Sequence, residues 1–146
     1  MMPSNHEAFF NAKRFAVVGH TSAKPFPILS YRALKNTGRR AMAIDSSVGS
    51  IDGDPAYPDL GSLPEPADAV IIEVPKEETA HWVQHAADAQ IKDVWVHMSH
   101  ETPEAIAIAA RHGINLRTGT CAVMYLSQGF SYHSIHKLIA KLAGRY

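Results

Sequence analysis

Short, almost wholly apolar runs alternate along this chain with segments of helical periodicity, and this alternation limits the folds open to it. The apolar runs fall at residues 14–19, 40–45, 69–74, 93–98 and 114–117. Strands this apolar must be covered on both faces, which is typical of parallel sheets. The pattern therefore predicts an α/β fold, a doubly wound sheet of about five parallel strands with helices on both faces.

The intervening segments have helical character, and some carry recognisable start and stop residues. Helices are expected at residues 28–37, 76–90, 103–112 and 131–143. Thr102 can cap the third helix with Pro103 at its first position. Gly38 and Gly113 suit the C-terminal ends of the first and third helices.

Residues 46–66 are the irregular part of the pattern. They hold three glycines and four prolines and show no helical period. We expect an extended crossover here, with one short turn near residues 59–62.

The length, charge and cysteine content of the chain limit its domain number, its partners and its location. The chain has 146 residues, with 14 basic and 14 acidic side chains, which favours one domain (core at about residues 14–126) and gives no field to attract nucleic acid or anionic membrane. Its one cysteine excludes an internal disulfide, and no apolar stretch suits a signal peptide or a bilayer span. The expected location is the cytoplasm.

A glycine ends the first apolar run and opens a polar loop before the first helix. The run ends at Gly19, and the loop contains His20, Thr21, Ser22 and Lys24. A strand that feeds a glycine turn and a helix N-terminus aims backbone N–H groups at one spot. Hydroxyls and a cation beside them suit a pyrophosphate. The loop therefore predicts a phosphate-binding site for a nucleotide or coenzyme, the alternative being an ordinary strand–helix connection.

The carboxyl ends of parallel strands meet at one edge of the sheet, where such folds bind ligands. Here those ends carry Gly19, Asp45, Val74–Pro75, Met98–Ser99 and Thr118–Gly119. Asp45 stands where dinucleotide-binding folds place an acid on the ribose hydroxyls, which keeps NAD open as a ligand. The G-x-G-x-x-G fingerprint that would support NAD is absent.

Histidines and the lone cysteine are the other candidates for chemistry. His81 and His85 lie four residues apart on a predicted helix, a spacing that can share a metal, but no H-E-x-x-H pattern accompanies them. We expect these two residues, like His97 and His100, to be exposed histidines without a metal. Cys121 follows the last strand, and either a buried structural thiol or a residue lining the ligand site is compatible with the sequence.

Five segments, taken in order, carry a family resemblance: FAVVGHTSAKP, SYRALKNTGRRAMAID, IDGDPAYPDLGSLPEPADAVIIEVP, VWVHMS and HGINLRTGTCAVM. Together they resemble the small CoA-binding-domain family, akin to the N-terminal CoA-binding Rossmann domain of the succinyl-CoA synthetase α subunit. The resemblance covers about residues 15–126 and lies in the order of the segments. It implies a Rossmann-like fold with coenzyme A as the cofactor.

The loop chemistry and the resemblance together nominate a set of cofactor-binding residues. They are Gly19, His20, Thr21, Ser22, Lys24, Ser30, Tyr31, Asp45, Ser46, Val74, Pro75 and Cys121. By the resemblance, the glycine loop would contact the pyrophosphate, and Val74 and Pro75 would line the adenine or pantetheine path. Asp45 and Ser46 replace an Asn-Pro pair of other members near the adenosine end, which places a negative charge beside a phosphate-rich ligand.

The resemblance therefore implies a non-catalytic protein that binds CoA or acyl-CoA as a carrier, sensor or accessory subunit. Two alternatives stay open: an NAD-type nucleotide-binding protein or small oxidoreductase, and an interaction module that has lost its ligand. Ligase activity is not implied, because the synthetase's second domain has no counterpart here. The C-terminal helix leaves a homodimer open.

Overall fold

The computed structural model describes residues 9, 11–22, 26–97 and 100–117. Seven strands in these residues form one sheet. They are β1 (Arg14–Gly19), β2 (Arg40–Ile44), β3 (Ser50–Ile51), β4 (Asp54–Tyr57), β5 (Ala69–Glu73), β6 (Asp93–Val96) and β7 (Asn115–Arg117). The five strands predicted from apolar runs are confirmed as β1, β2, β5, β6 and β7.

The strands lie in the order β3-β4-β2-β1-β5-β6-β7, and all neighbours are parallel except β3 and β4. The parallel strands reproduce the order of a Rossmann sheet, in which the chain starts at the centre, builds one half and crosses back to build the other. The crossing from β4 to β5 creates a switch point between the carboxyl ends of β1 and β5. Open α/β sheets bind their ligands at such a point.

Helices cover both faces of this sheet. They are α1 (Phe26–Asn36), α2 (Thr79–Asp88) and α3 (Pro103–His112), with short 3-10 turns at Leu60–Ser62 and Lys76–Glu78. Thr102 caps α3 as predicted, because its hydroxyl accepts the Ala105 N–H at 3.0 Å, and Gly113 ends that helix with a φ of +67°. None of the described helices has the length and apolar character needed to cross a membrane.

The core lies in two layers, one on each face of the sheet. Alternate residues of the central strands pack against α1, among them Phe15, Val17, Ile71 and Trp95. Their neighbours along the strands pack against α2 and α3, among them Val18, Val70, Ile72 and Val94. The expected burial of Trp95 is confirmed, since it is 0% exposed. This double covering fixes the strand ends relative to one another.

Residues 46–66 contain a hairpin where the sequence pattern predicted an irregular crossover, and that prediction is wrong for β3 and β4. The two strands are joined by Asp52 and Gly53, whose φ angles are +52° and +82°, as a two-residue mirror-image turn requires. The Asp-Gly pair was the available signal, and Pro55, two residues after Gly53, argued against a strand. The turn predicted near residues 59–62 is confirmed at Leu60–Ser62.

Candidate functional site

Gly19, the last residue of β1, lies in close contact with the start of α1. A Cβ atom at this position would lie 2.1 Å from Cγ of Pro27 and 3.4 Å from the carbonyl oxygen of Glu73. Only glycine lets the helix and the strand end approach so closely. The N-terminus of α1 therefore lies over the end of the central strand, an arrangement that aims helix N–H groups at an anion.

The loop after β2 reaches across to the glycine loop. Asp45 is 3% exposed, and its Oδ2 accepts the Thr21 N–H at 2.7 Å. Its Oδ1 accepts the Ser47 N–H at 2.8 Å and the Ser47 hydroxyl at 2.5 Å. The Ser47 Oγ in turn accepts the Ser22 N–H at 3.2 Å. We call these two side chains the Asp45–Ser47 clasp. They accept hydrogen bonds from the Thr21 and Ser22 N–H groups, which the sequence analysis expected to be available to a phosphate.

The clasp keeps Asp45 ionised. Burial by itself would raise the pKa of this carboxyl group, but hydrogen bonds from Ser47 and Thr21 outweigh it and hold the pKa of Asp45 below its ordinary value. Asp45 is therefore a fixed negative charge beside the glycine loop.

The turn after β5 contacts the glycine loop from the other side. His20 Nε2 lies 2.9 and 3.0 Å from the two carboxylate oxygens of Glu78. This pair joins the segments that follow β1 and β5 across the switch point. Close by, Val74 is buried and its carbonyl oxygen accepts a hydrogen bond from His100 Nδ1 at 2.7 Å, while Pro75 is exposed.

A buried acid lies at the same edge, and the sequence interpretation missed it. Glu73 pairs with Gly19 in the sheet register; its side chain is 2% exposed and its Oε2 lies 3.6 Å from His97 Nδ1. Among the described residues, neither carboxylate oxygen of Glu73 accepts a hydrogen bond. Burying such a group is costly, and groups of this kind concentrate at functional sites. The signal was a single acid inside the apolar run 69–74.

Of the remaining nominated residues, three lie in the described part of the chain and two lie outside it. Ser30 is 0% exposed within α1, and Ser46 is exposed beside the clasp. Tyr31 is buried and its hydroxyl donates to Asp54 at 2.6 Å, so that burial and this hydrogen bond raise its pKa. Tyr31 thus contacts β4 rather than the glycine loop. Two nominated residues lie outside the described part of the chain: Lys24 and Cys121.

His81 of α2 is exposed and His85 is half-buried. His97 is 8% exposed, so the expectation of exposed histidines is wrong for this residue, which lies against Glu73 at the end of β6. The ring centroids of His81 and His85 are 4.4 Å apart. The described residues contain no group of three or more side chains that could hold a metal ion.

A cavity of about 440 Å³ lies at the opposite edge of the sheet, where β2 and β4 begin. Its lining includes Lys35, Arg40 and Asp54. Lys35 pairs with Asp54 at 2.5 Å, and Arg40 pairs with Glu65. Two of its three cationic lining residues, Lys35 and Arg40, therefore have a carboxylate partner within the protein. The cavity also lies at the edge that parallel sheets do not use for ligands.

The strand order, the glycine that seats a helix N-terminus and the polar strand ends define a Rossmann-like α/β protein with its candidate site at the switch point. A family model described as CoA binding domain matches residues 13–127. The chain therefore belongs to the CoA binding domain family. Comparison with curated proteins gives no match.

Solved structures share the fold. The Thermus thermophilus protein cell-free ID.343 superposes with a TM-score of 0.75 at 21% identity, over 89% of this chain and 100% of that one. A hypothetical protein from Pyrococcus horikoshii OT3 gives 0.74 at 18% identity, over 88% and 96%. The dinucleotide-forming acetyl-coenzyme A synthetase 1 of Ca. Korarchaeum cryptofilum gives 0.61 at 20% identity, over 75% of this chain and 26% of that one. At these identities the likeness concerns the fold.

Proposed function

We propose that this protein binds CoA or an acyl-CoA at the carboxyl edge of its sheet and catalyses no reaction of its own, acting as a carrier, sensor or accessory subunit. The observation that carries the proposal is the contact between Gly19 and Pro27, which brings the N-terminus of α1 onto the end of the central strand. Membership of the CoA binding domain family, over residues 13–127, supplies the ligand class.

The diphosphate of the coenzyme would lie at the glycine loop, within reach of Thr21 and Ser22. Backbone N–H groups at a helix N-terminus favour a phosphate by hydrogen bonding and by the helix dipole. The adenosine would lie toward Asp45 and Ser46, and the pantetheine arm would pass Val74. This arrangement follows the convergence of the loops after β1, β2 and β5 at the switch point.

NAD is not favoured as the ligand. Asp45 motivated it, yet both carboxylate oxygens of that residue already accept hydrogen bonds from Thr21 and Ser47. Neither the family match nor the fold neighbours given above name NAD.

Calorimetric titration with CoA, acetyl-CoA and NAD tests the proposal. We expect saturable heat with CoA or acetyl-CoA, together with a rise in Tm, because a ligand that binds only the native state stabilises it. A protein that gives neither heat nor a Tm shift at millimolar CoA would overturn the proposal.

Two matched charge reversals locate the site. Lys24→Glu lies in the glycine loop of the sequence and is expected to weaken CoA binding about tenfold, because it removes a charge-assisted contact and adds repulsion. Lys13→Glu makes the same change just before β1, at the opposite edge, and is expected to leave the affinity unchanged. Equal losses from both variants would indicate general charge attraction instead of binding at the loop.

A further inference from the structure

The Asp45–Ser47 clasp holds the same donors that a diphosphate at the glycine loop would need. The Thr21 N–H donates to Asp45 and the Ser22 N–H donates to Ser47. A backbone amide has one N–H to donate. A phosphate oxygen can therefore take either donor only by displacing the clasp atom that now accepts from it.

The charge of Asp45 adds to this competition. The carboxylate is 3% exposed, so water screens it little. Its hydrogen bonds are all to the neutral groups of Thr21 and Ser47, and no Lys or Arg of the described residues forms a salt bridge with it. A phosphate at the Thr21 N–H would thus meet a buried negative charge that no Lys or Arg of the described residues pairs with.

We propose that Asp45 is the residue that limits affinity and ligand choice at this site: an internal anion that a diphosphate-bearing ligand must displace from the glycine loop. The inference rests on the proposed function and deepens it. It gives Asp45 a role opposite to the usual one, since an acid at this place in a dinucleotide-binding fold contributes to ligand affinity through the ribose. Neutralising Asp45 therefore tightens binding.

The variant Asp45→Asn tests this inference. Asparagine keeps the shape and one carbonyl oxygen to accept a hydrogen bond, but it carries no charge. The matched control is Asp59→Asn, because Asp59 also accepts both the N–H and the hydroxyl of a nearby serine, Ser62, at 2.9 and 2.7 Å. Leu60, in the turn that follows Asp59, packs against the core on the face of the sheet that α2 and α3 cover.

Wild type and both variants are titrated calorimetrically with CoA and with inorganic pyrophosphate. We expect Asp45→Asn to bind both ligands about tenfold more tightly than wild type, and Asp59→Asn to match wild type. If wild type binds CoA, pyrophosphate binding that is detectable only in Asp45→Asn also supports the inference. If wild type binds CoA and Asp45→Asn binds it equally or more weakly, the inference is overturned while the proposed function stands.

If neither wild type nor either variant binds CoA or pyrophosphate, both proposals are overturned, because the glycine loop then binds no phosphate even after the charge of Asp45 is removed. Circular dichroism verifies the fold of each variant. Should Asp45→Asn fail to fold, Ser47→Ala carries the test, since it frees the Ser22 N–H and loosens Asp45. This variant is expected to bind CoA about threefold more tightly, and unchanged or weaker binding would contradict the inference.

Discussion

At the carboxyl edge of the sheet Asp45 is 3% exposed and is held by backbone and serine donors, whereas at the amino edge Arg14 and Asp68 form a pair with 37% and 38% of their side chains exposed. The amino-edge charges thus face water and one another. The carboxyl-edge acids, Asp45 and Glu73, are buried, and neither forms a salt bridge with a Lys or Arg of the described residues. Burial of this kind is costly, and it is one reason to propose the carboxyl edge as the site.

The Arg14–Asp68 pair shows what an ordinary surface ion pair looks like in this protein. Two guanidinium nitrogens of Arg14 donate to the two carboxylate oxygens at 3.3 and 3.2 Å. Exposed pairs of this type contribute little to stability, since water competes for both partners. We therefore expect charges at the two edges to contribute differently to the free energy of unfolding. Four changes test this difference, in order of decreasing expected effect.

The largest effect is expected from Asp45→Ala. It removes the acceptor for the Thr21 N–H and for both donors of Ser47, and it should lower the free energy of unfolding by about 2–4 kcal/mol because three hydrogen bonds to a buried, charged carboxylate are lost. Asp68→Ala at the amino edge should cost clearly less. Urea unfolding of the two variants measures this, and equal losses would show that the edges do not differ.

Gly19→Ala comes next. The new Cβ would meet Pro27 Cγ at 2.1 Å, so α1 must shift, and we expect a loss of about 1–3 kcal/mol in the free energy of unfolding. Gly49→Ala is the matched control, since no atom lies within 4 Å of the added methyl group. Thermal unfolding that ranks both variants alike would contradict the close seating of α1 on β1.

Tyr31→Phe should have a smaller effect. It removes the hydroxyl that donates to Asp54 at 2.6 Å, a loss of about 0.5–1.5 kcal/mol. Asp54 keeps Lys35 as a partner, so no buried charge is left alone. Urea unfolding provides the measurement. A loss as large as that of Asp45→Ala would contradict the account, because the Tyr31–Asp54 hydrogen bond would then stabilise the fold as much as Asp45 does.

The smallest effect concerns pH and salt. Hydrogen bonds hold the pKa of Asp45 below its ordinary value despite burial, and the Arg14 guanidinium lowers the pKa of Asp68. Each carboxylate therefore adds stability above the unfolded-state pKa of about 3.9, and this stability is lost as the pH falls through the lower folded-state pKa.

At about 1 M NaCl, screening should weaken the Asp68 contribution and leave that of Asp45. Unfolding curves from pH 6 to pH 2 at low and high salt, for Asp45→Asn and Asp68→Asn, provide the measurement. Equal salt sensitivity of the two contributions would contradict the contrast between the edges.

Much of the fold could be predicted, because its determinants are local. Apolar runs gave five of the strands, and Thr102, Pro103 and Gly113 marked the ends of α3. Gly19 was identified from its place between strand and helix. The β3–β4 hairpin was missed because Pro55 lies two residues after the Asp52-Gly53 turn, within the second strand.

The site could be predicted only in part, because its key contacts join distant residues. Asp45 was assigned to the ligand by its place after β2, but the Thr21 N–H that it accepts lies 24 residues earlier in the chain. The His20–Glu78 contact spans 58 residues. Glu73 was read as part of a buried strand, and only the tertiary structure shows how few donors surround it.

We propose that CoA binds at the carboxyl edge of the sheet. Titration of ¹⁵N-labelled protein with CoA, followed by two-dimensional NMR, tests it most directly. We predict the largest amide shift changes at residues 19–22 and 45–47. Changes confined to the amino edge around residues 38–42, or no changes at millimolar CoA, would contradict it.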